Sequence, residues 1–458
     1  MKLLSGLRRV RLPDPLTLLT ACVLLGAAAS WVVPAGQYER REDVVTGRMV
    51  VVPDTYAAVD PAPVGLFDAL LAIPRGLIAA ADIIFLVFLT GGAFVVVDRT
   101  GALRAAVDAL ARALHGRGIL VIPVVSLFFA AGGVMLNTQE EIIALIPVLM
   151  ILSRRVGFDA TTAVAMSLGP AAVGSAFSPI NPFQVVIAQQ LAELPVLSAG
   201  LFRLVFLLLA LGIWIAGSMR YARGICAPPA AEGTAPGEPV AAAGRGSRTA
   251  LVMLMVLLAF VTFSFGLLRL DWGFNEMSAV FLAMGIAAGL LGRLGVQRTA
   301  EAFVEGFREM TYAAMLIGFA RAIYVVLEDG QIIDTLVHGL FIPTAELPLT
   351  LAAIAMMGVQ GLIHIIVPSV SGQAVLTIPI LTPLSDLVGL ERQVTVLAYQ
   401  YGAGLCELLT PTNGALMAVL AAAGVRYDRW LRFALPLCGW LAALGVLAIV
   451  IGIATGLD

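Results

Sequence analysis

The feature that most restricts the fold is a pattern of eleven long apolar runs. They lie at Leu16–Val33 and at about 77–97, 118–152, 159–190, 198–217, 249–268, 277–292, 310–327, 348–385, 393–424 and 433–456. A helix needs ~20 apolar residues to cross a bilayer core, and only helices and closed barrels satisfy their backbone polar groups there. The runs predict an all-α polytopic membrane protein. Composition agrees, because 60% of the residues are hydrophobic and 13% charged, where a soluble domain carries about a quarter charged residues. The net charge of -2 argues against a nucleic-acid surface. Cys22, Cys226, Cys406 and Cys438 stand singly, with no CxxC or metal spacing, so neither a disulfide framework nor a zinc site is expected.

Basic residues Lys2, Arg8, Arg9 and Arg11 precede Leu16–Val33. That run exceeds the ~7–15 residues of a secretory h-region, so it reads as a first span with a cytoplasmic N-terminus in the inner membrane. The Lys/Arg excess in short loops sets the remaining sides. The polar stretch Gln37–Asp60 falls outside. Arg99, Arg104, Arg112 and Arg117 fall inside, as do Arg154 and Arg155, Arg220 and Arg223, and Arg426, Arg429 and Arg432. Residues 224–248 are rich in Ala, Pro and Gly and read as a cytoplasmic linker between a first half, 1–223, and a second, 249–458. Two runs do not close as simple spans. Residues 118–152 have both ends inside and a polar centre, Asn137-Thr138-Gln139-Glu140-Glu141, while 348–388 have both ends outside and are interrupted at Pro368–Gln373. Each reads as a re-entrant hairpin, which gives nine spans, two opposed hairpins and an outside C-terminus.

An internal repeat carries the same message. Residues 140–182 align without a gap on 372–414, a shift of 232, with eleven identities in 43 positions. Apolar chance explains matches such as Ile146/Ile378. It does not readily explain Pro147/Pro379, Gly157/Gly389, Pro179/Pro411 and Asn181/Asn413. With hairpins opening to opposite faces the repeats are inverted, the arrangement of secondary transporters that bind solute near the midplane.

The repeated element is Ser178-Pro179-Ile180-Asn181-Pro182 and Thr410-Pro411-Thr412-Asn413-Gly414. Proline removes a backbone donor and clashes with the preceding turn, so the helices 159–190 and 393–424 unwind there. Hydroxyl, amide and freed carbonyl oxygens suit a small cation, and half-helix N-termini suit a carboxylate; a capped proline kink is the plainer alternative. Each tip is expected to meet one break, Asn137-Thr138 with Ser178–Asn181 and Ser369–Gln373 with Thr410–Asn413. Gly169, Gly174, Ser175, Gly402 and Gly404 permit close approach. Ionisable residues at membrane depth are Asp82, Glu140, Glu141, Arg321 and Glu407, functional candidates by default. Glu140 and Glu141 could hold a cation, a proton or a basic group, or cap a helix. Arg321 could grip a carboxylate, or pair with Asp82 or a glutamate. His364 and His338 read as structural and His115 as interfacial.

Glu140-Glu141-Ile142-Ile143, the Ser-Pro-x-Asn-Pro break, Ser371-Gly372-Gln373-Ala374 with Pro379, and Thr410–Gly414 resemble the YfcC family of the ion-transporter superfamily. That family includes arginine/ornithine antiporter-like and C4-dicarboxylate-carrier-like members. More distantly the layout is similar to the AbgT and divalent-anion/sodium symporter folds. The resemblance implies a homodimer, an elevator mechanism and sodium-type sites, here at Asn137, Thr138 and Asn181 and at Ser369, Ser371 and Asn413. The symporters' Ser-Asn-Thr triplet is approximated only by Asn137-Thr138.

These readings converge on a secondary carrier for a small carboxylate-bearing solute, a basic amino acid favoured, with a Na+- or H+-coupled C4-dicarboxylate carrier as the alternative. Substrate contacts are expected from Asn137, Thr138, Glu140, Glu141, Asn181, Arg321, Ser369, Ser371, Gly372, Thr412 and Asn413. Ion coupling is expected from Asp82, Asn137, Ser178, Asn181, Ser371, Glu407, Thr410 and Asn413. No cofactor is expected, no metal beyond Na+, and lipid is the surrounding partner. A channel would need no opposed hairpins. An intramembrane hydrolase would need a nucleophile–base pair or metal cluster, and the chain has no HExxH and no GxSxG beside a histidine.

Overall fold

The computed structural model describes residues 13–103, 105, 118–136, 139–225, 247–270, 272–341, 343–344 and 347–457. The N-terminal basic residues, Arg104, Arg112, His115, Arg117, the tip residues Asn137 and Thr138, and most of the 224–248 linker lie outside these.

The described chain opens with α1 (Pro15–Ala29), started by Asp14, whose side chain accepts from the Leu16 amide. Two short antiparallel ladders follow: β1 (Gly36–Gln37) pairs β4 (Ala57–Ala58), and β2 (Arg40–Glu42) pairs β3 (Met49–Val51). They correct the all-α reading locally. The stretch read as a polar loop carries Val50 and Val51, which are buried, and extended pairing satisfies the backbone that this burial removes from water.

The first half continues with α2 (Leu66–Ala79), α3 (Ala81–Arg99), α4 (Val121–Leu136) and α5 (Glu140–Val156). Then come α6 (Ala160–Ala165), α7 (Leu168–Ala176), a π-helical turn at Pro182–Val186, α8 (Ile187–Leu191) and α9 (Gly200–Ile225). The second half comprises α10 (Ser247–Arg269), α11 (Phe274–Leu291), α12 (Gly295–Asp329), α13 (Ile333–Phe341), α14 (Leu349–Ile366), α15 (Val370–Val388), α16 (Arg392–Cys406), α17 (Gly414–Ala422) and α18 (Tyr427–Thr455). Seven helices of the described residues are long and apolar enough to cross a membrane, against the nine spans expected. Those seven include the helices starting at Gly118 and Leu349, expected as hairpin arms. Pro15–Ala29 is short, and the broken helices come in pieces too short to qualify singly.

Helix boundaries follow the 232-residue shift. α5 and α15 end at Gly157 and Gly389, with φ of 87° and 74°, a left-handed conformation that glycine adopts without penalty. The next helices start after Asp159 and Glu391, and the half-helices beyond the breaks start after Asn181 and Asn413. One difference was not legible beforehand. α6 and α7 are separated at Met166–Ser167, while α16 runs through. Pro170 cannot donate to the carbonyl of Met166, and its counterpart in α16 is Gly402.

The helices pack as two groups. In the first, α12 lies against α1, α2 and α3, and α11 joins α3 to α10, with Phe94, Phe260 and Phe281 meeting at its centre. In the second, α4 lies on α7, α14 on α16, α9 on α7, and α18 on α16, closed by Trp214, Trp430 and Phe433. A Cβ on Gly133 would stand 2.0 Å from the carbonyl oxygen of Ala171, and one on Gly402 2.2 Å from that of Met357. Only glycine permits such backbone contact. The groups meet where α17 lies on α12 and α5 on α3.

Candidate solute site between the two helix groups

A cavity of about 540 Å³ occupies this junction. From the first group come Asp82 in the first turn of α3, the start of α11 around Trp272, and Arg321 and Tyr324 on α12. From the second come Gln139, Glu140 and Glu141 at the start of α5, Ser369 and Ser371 at the start of α15, and Glu407, Thr412 and Asn413 in the second break. Three helix N-termini, those of α5, α15 and α17, therefore border one space, each with unsatisfied amides and a positive dipole end. Ser369 caps α15 by accepting from the Gly372 amide, and Asn413 caps α17 by accepting from the Leu416 amide.

The two breaks are used differently. At the first, Ser178 Oγ donates to the carbonyl of Val134 at 2.8 Å and accepts the amides of Ile180 and Asn181. Asn181 Oδ1 accepts the amides of Phe183 and Gln184 at 2.9 and 3.0 Å, while its Nδ2 donates to the Gly133 carbonyl at 2.8 Å and to Ser175 Oγ at 3.3 Å. Both side chains are fully buried, neither lines the cavity, and their polar groups hold the break against α4. At the second break, Gln139 Nε2 donates to Glu407 Oε2 at 2.6 Å, and Asn413 Nδ2 to the Glu407 carbonyl at 3.2 Å. Thr410 and Thr412 pair through their hydroxyls at 2.7 Å, with Thr412 on the cavity and Thr410 behind it.

Asn137 and Thr138, the tip residues expected at the first break, lie outside the described residues, and their neighbours divide between the two breaks. α4 docks on the first break through Gly133 and Val134, but Gln139 crosses to the second break at Glu407. Likewise α15 packs on the Pro182–Leu191 segment of the first half, and α5 on α17 of the second. The reason is geometric: the interrupted helices point their free ends at one central space, so the polar tips gather there whichever half they come from.

Arg321 has no ion pair among the described residues, and its guanidinium carbon lies 4.9 Å over the Tyr324 ring. The pairing with Asp82 or a glutamate is thus absent, and Asp82 instead accepts from the Ile83 amide at 2.9 Å. Glu141 Oε2 is buried with no hydrogen-bond partner, an arrangement that leaves a strong acceptor without compensation. Gly372 lies off the central cavity, in a neighbouring one. His364 is buried against Gln373 Oε1 at 2.9 Å, inside the α14–α15 pair, and His338 hydrogen-bonds Tyr38.

Sequence reading missed Gln139 and Arg203. Arg203 is fully buried and donates to Gln400 Oε1 at 3.2 Å, Gln393 Oε1 at 2.9 Å and the Ser198 carbonyl at 2.8 Å. Gln400 in turn donates to the Ser178 carbonyl at 2.8 Å, so the cation braces the first break from behind. A lone arginine at the start of the apolar run 198–217 was the available signal.

Comparison with known proteins places this architecture. The chain is 32% identical over 490 residues, covering 97% of it and 96% of the relative, to the putative basic amino acid antiporter YfcC of Escherichia coli. It is 28% identical over 491 residues to a protein of Haemophilus influenzae, covering 96% of each. Among solved structures it is similar to the YdaH transporter of Alcanivorax borkumensis (15% identity, TM-score 0.45, covering 97% of this chain and 99% of that one). It is also similar to MtrF of Neisseria gonorrhoeae, described with a class of antimetabolite efflux pumps (17% identity, TM-score 0.44, covering 98% and 97%). The family model for DcuC, the C4-dicarboxylate anaerobic carrier, matches residues 12–454. With apolar helices of spanning length, a junctional cavity and this match along nearly its whole length, the chain is a multi-pass membrane transporter of the DcuC family.

Proposed function

We propose that the chain is a secondary carrier of a basic amino acid, held in the junctional cavity with its α-carboxylate on Arg321 and its side-chain cation among Glu140, Glu141 and Glu407. The observation that carries this reading is the charge of the cavity. It holds one unpaired guanidinium and four carboxylates, those of Asp82, Glu140, Glu141 and Glu407, and Glu141 keeps a buried acceptor without a partner. A dianion would meet four carboxyl groups and a single guanidinium there. The name carried by the E. coli relative, a putative basic amino acid antiporter, supports the same solute class.

The second reading, a C4-dicarboxylate carrier coupled to Na+ or H+, draws on the family description and on the three helix N-termini at the cavity. Proteoliposome uptake separates the two. Glu141→Gln should weaken arginine far more than citrulline, since a charge-assisted hydrogen bond is worth roughly 1.5–3 kcal/mol, on the order of ten- to a hundred-fold in affinity. Equal loss for both solutes, or uptake of succinate in place of arginine, defeats the basic-amino-acid reading.

The mechanism that fits is an elevator in which the second helix group carries the cavity past the first, because the site is made half by each. Coinciding helix boundaries at a shift of 232 residues support an inverted repeat, with α4–α5 and α14–α15 as hairpins entering from opposite faces. Inverted repeats with interrupted helices are the common plan of such carriers.

A further inference from the structure

A second cavity, of about 560 Å³, adjoins the first. Its roof is the strand ribbon, with Arg40, Arg48 and Met49, and its floor is the end of α12 and the interruption before α15. Arg321, Tyr324, Pro368, Ser369 and Ser371 line both cavities, so the wall between them is a single layer of side chains.

The charges on the two sides of that wall differ. In the outer cavity Arg40 is paired with Asp334 at 2.9 Å, and the other oxygen of Asp334 takes the Tyr38 amide at 2.9 Å. Asp334 is 3% exposed, so this pair fastens the ribbon to α13 and is neutral. Arg48 and Arg321 remain, opposed by Glu328 alone. No ion pair or side-chain hydrogen bond is made by Arg48 among the described residues, and it is not fully exposed. On the inner side, Arg321 faces four carboxylates. The lining therefore changes at Arg321 from guanidinium-rich to carboxyl-rich. The roof is fixed to the end of α12 by Gly36, whose amide donates to the Gln331 carbonyl at 3.0 Å, and to α13 by Tyr56, stacked on His338 at 4.1 Å. Its β3 edge rests on α15 of the second group.

We propose that the ribbon-roofed cavity is a separate binding site for the carboxylate of the solute, where Arg48 and Arg321 hold it before it passes Arg321 into the acidic cavity. The assignment rests on the basic-amino-acid reading above. A solute with a carboxylate at one end and a cation at the other is aligned by this change of lining, cation toward the carboxyl groups. The volume suits a small solute with its water, within the ~300–1,000 Å³ range of ligand pockets.

Cysteine protection tests this. Met49→Cys reports on the outer cavity and Thr412→Cys on the inner one, each in a transport-competent background whose native cysteines are replaced, with L-arginine as the probe against a methanethiosulfonate reagent. Arginine should protect both positions. Arg48→Glu should raise the concentration for half-protection at Met49→Cys about ten-fold or more while leaving that at Thr412→Cys within about two-fold; Arg48→Lys should retain protection at both. Protection at Thr412→Cys alone overturns the outer site and leaves the inner reading standing. Equal loss at both positions in Arg48→Glu assigns Arg48 to the fold and also overturns it. Protection at neither position removes the solute class, and with it both proposals.

Discussion

Asn181 and Asn413 occupy the same position in the two breaks, yet their replacement by alanine should have different consequences. Asn181→Ala removes the acceptor of two amides and the donor to a carbonyl and a hydroxyl, all in a fully buried setting. Losing the cap costs about 1–2 kcal/mol. The buried Gly133 carbonyl left without its donor adds roughly 1–3 kcal/mol, which brings the whole to on the order of 2–5 kcal/mol. Asn413→Ala removes one amide acceptor and one carbonyl donor beside a cavity, where water can replace them, and costs about 1–2 kcal/mol. A chain of this size need not unfold in one step, so the comparison is of order rather than of absolute free energy. Thermal stability measured by fluorescence-detected gel filtration in detergent should place Asn181→Ala well below Asn413→Ala in midpoint and folded yield. Transport per folded molecule should fall mainly in Asn413→Ala. If Asn413→Ala is the less stable of the two, or the two lose stability equally, the division into a structural and a solute-facing break is wrong.

Gly133→Ala should also lower the melting midpoint, since its Cβ would meet the Ala171 carbonyl oxygen at 2.0 Å; an unchanged midpoint would deny the close contact of α4 and α7. Arg203→Met should destabilise by several kcal/mol, because Gln400, Gln393 and the Ser198 carbonyl lose a buried donor, roughly 1–3 kcal/mol for each group left unpaired; gel-filtration profiles after heating report it. Arg155→Cys and Glu391→Cys should be labelled from opposite faces by an impermeant thiol reagent, and labelling of both from outside would sink the inverted arrangement. In the ribbon turn, hydrogen bonds led by the Thr46 amide hold Asp43 below the ordinary carboxylate pKa. Its stabilisation of the turn is then present above that ordinary value and lost as pH falls through the depressed one, which hydrogen exchange at Thr46 should follow.

The sequence determined by itself that the chain is a helical membrane protein with interrupted helices. Apolar runs about as long as a bilayer is thick admit few alternatives, and a proline whose missing amide cannot be supplied from lipid marks the interruption from either half. The helix ends have a local cause too: Gly157 and Gly389 take a left-handed backbone, and Asp159, Asn181 and Asn413 cap the helix that follows them. The ionisable residues Asp82, Glu140, Glu141, Arg321 and Glu407 stood out because charge in hydrocarbon is costly, and all five line one cavity.

Only the tertiary structure decided what each polar group does. Ser178 and Asn181 match Thr410 and Asn413 in sequence, but α4 lies against the first pair and presents the carbonyls of Gly133 and Val134. Asn413 instead borders the cavity. In the same way Gln139 belongs to the first half and bonds Glu407 of the second, and Arg203, an isolated arginine in an apolar run, finds its partners on α16. Backbone conformation is set by neighbours along the chain and so can be read from it. The partner of a buried side chain is set by whichever helix packs across from it, and that choice is made by the whole fold.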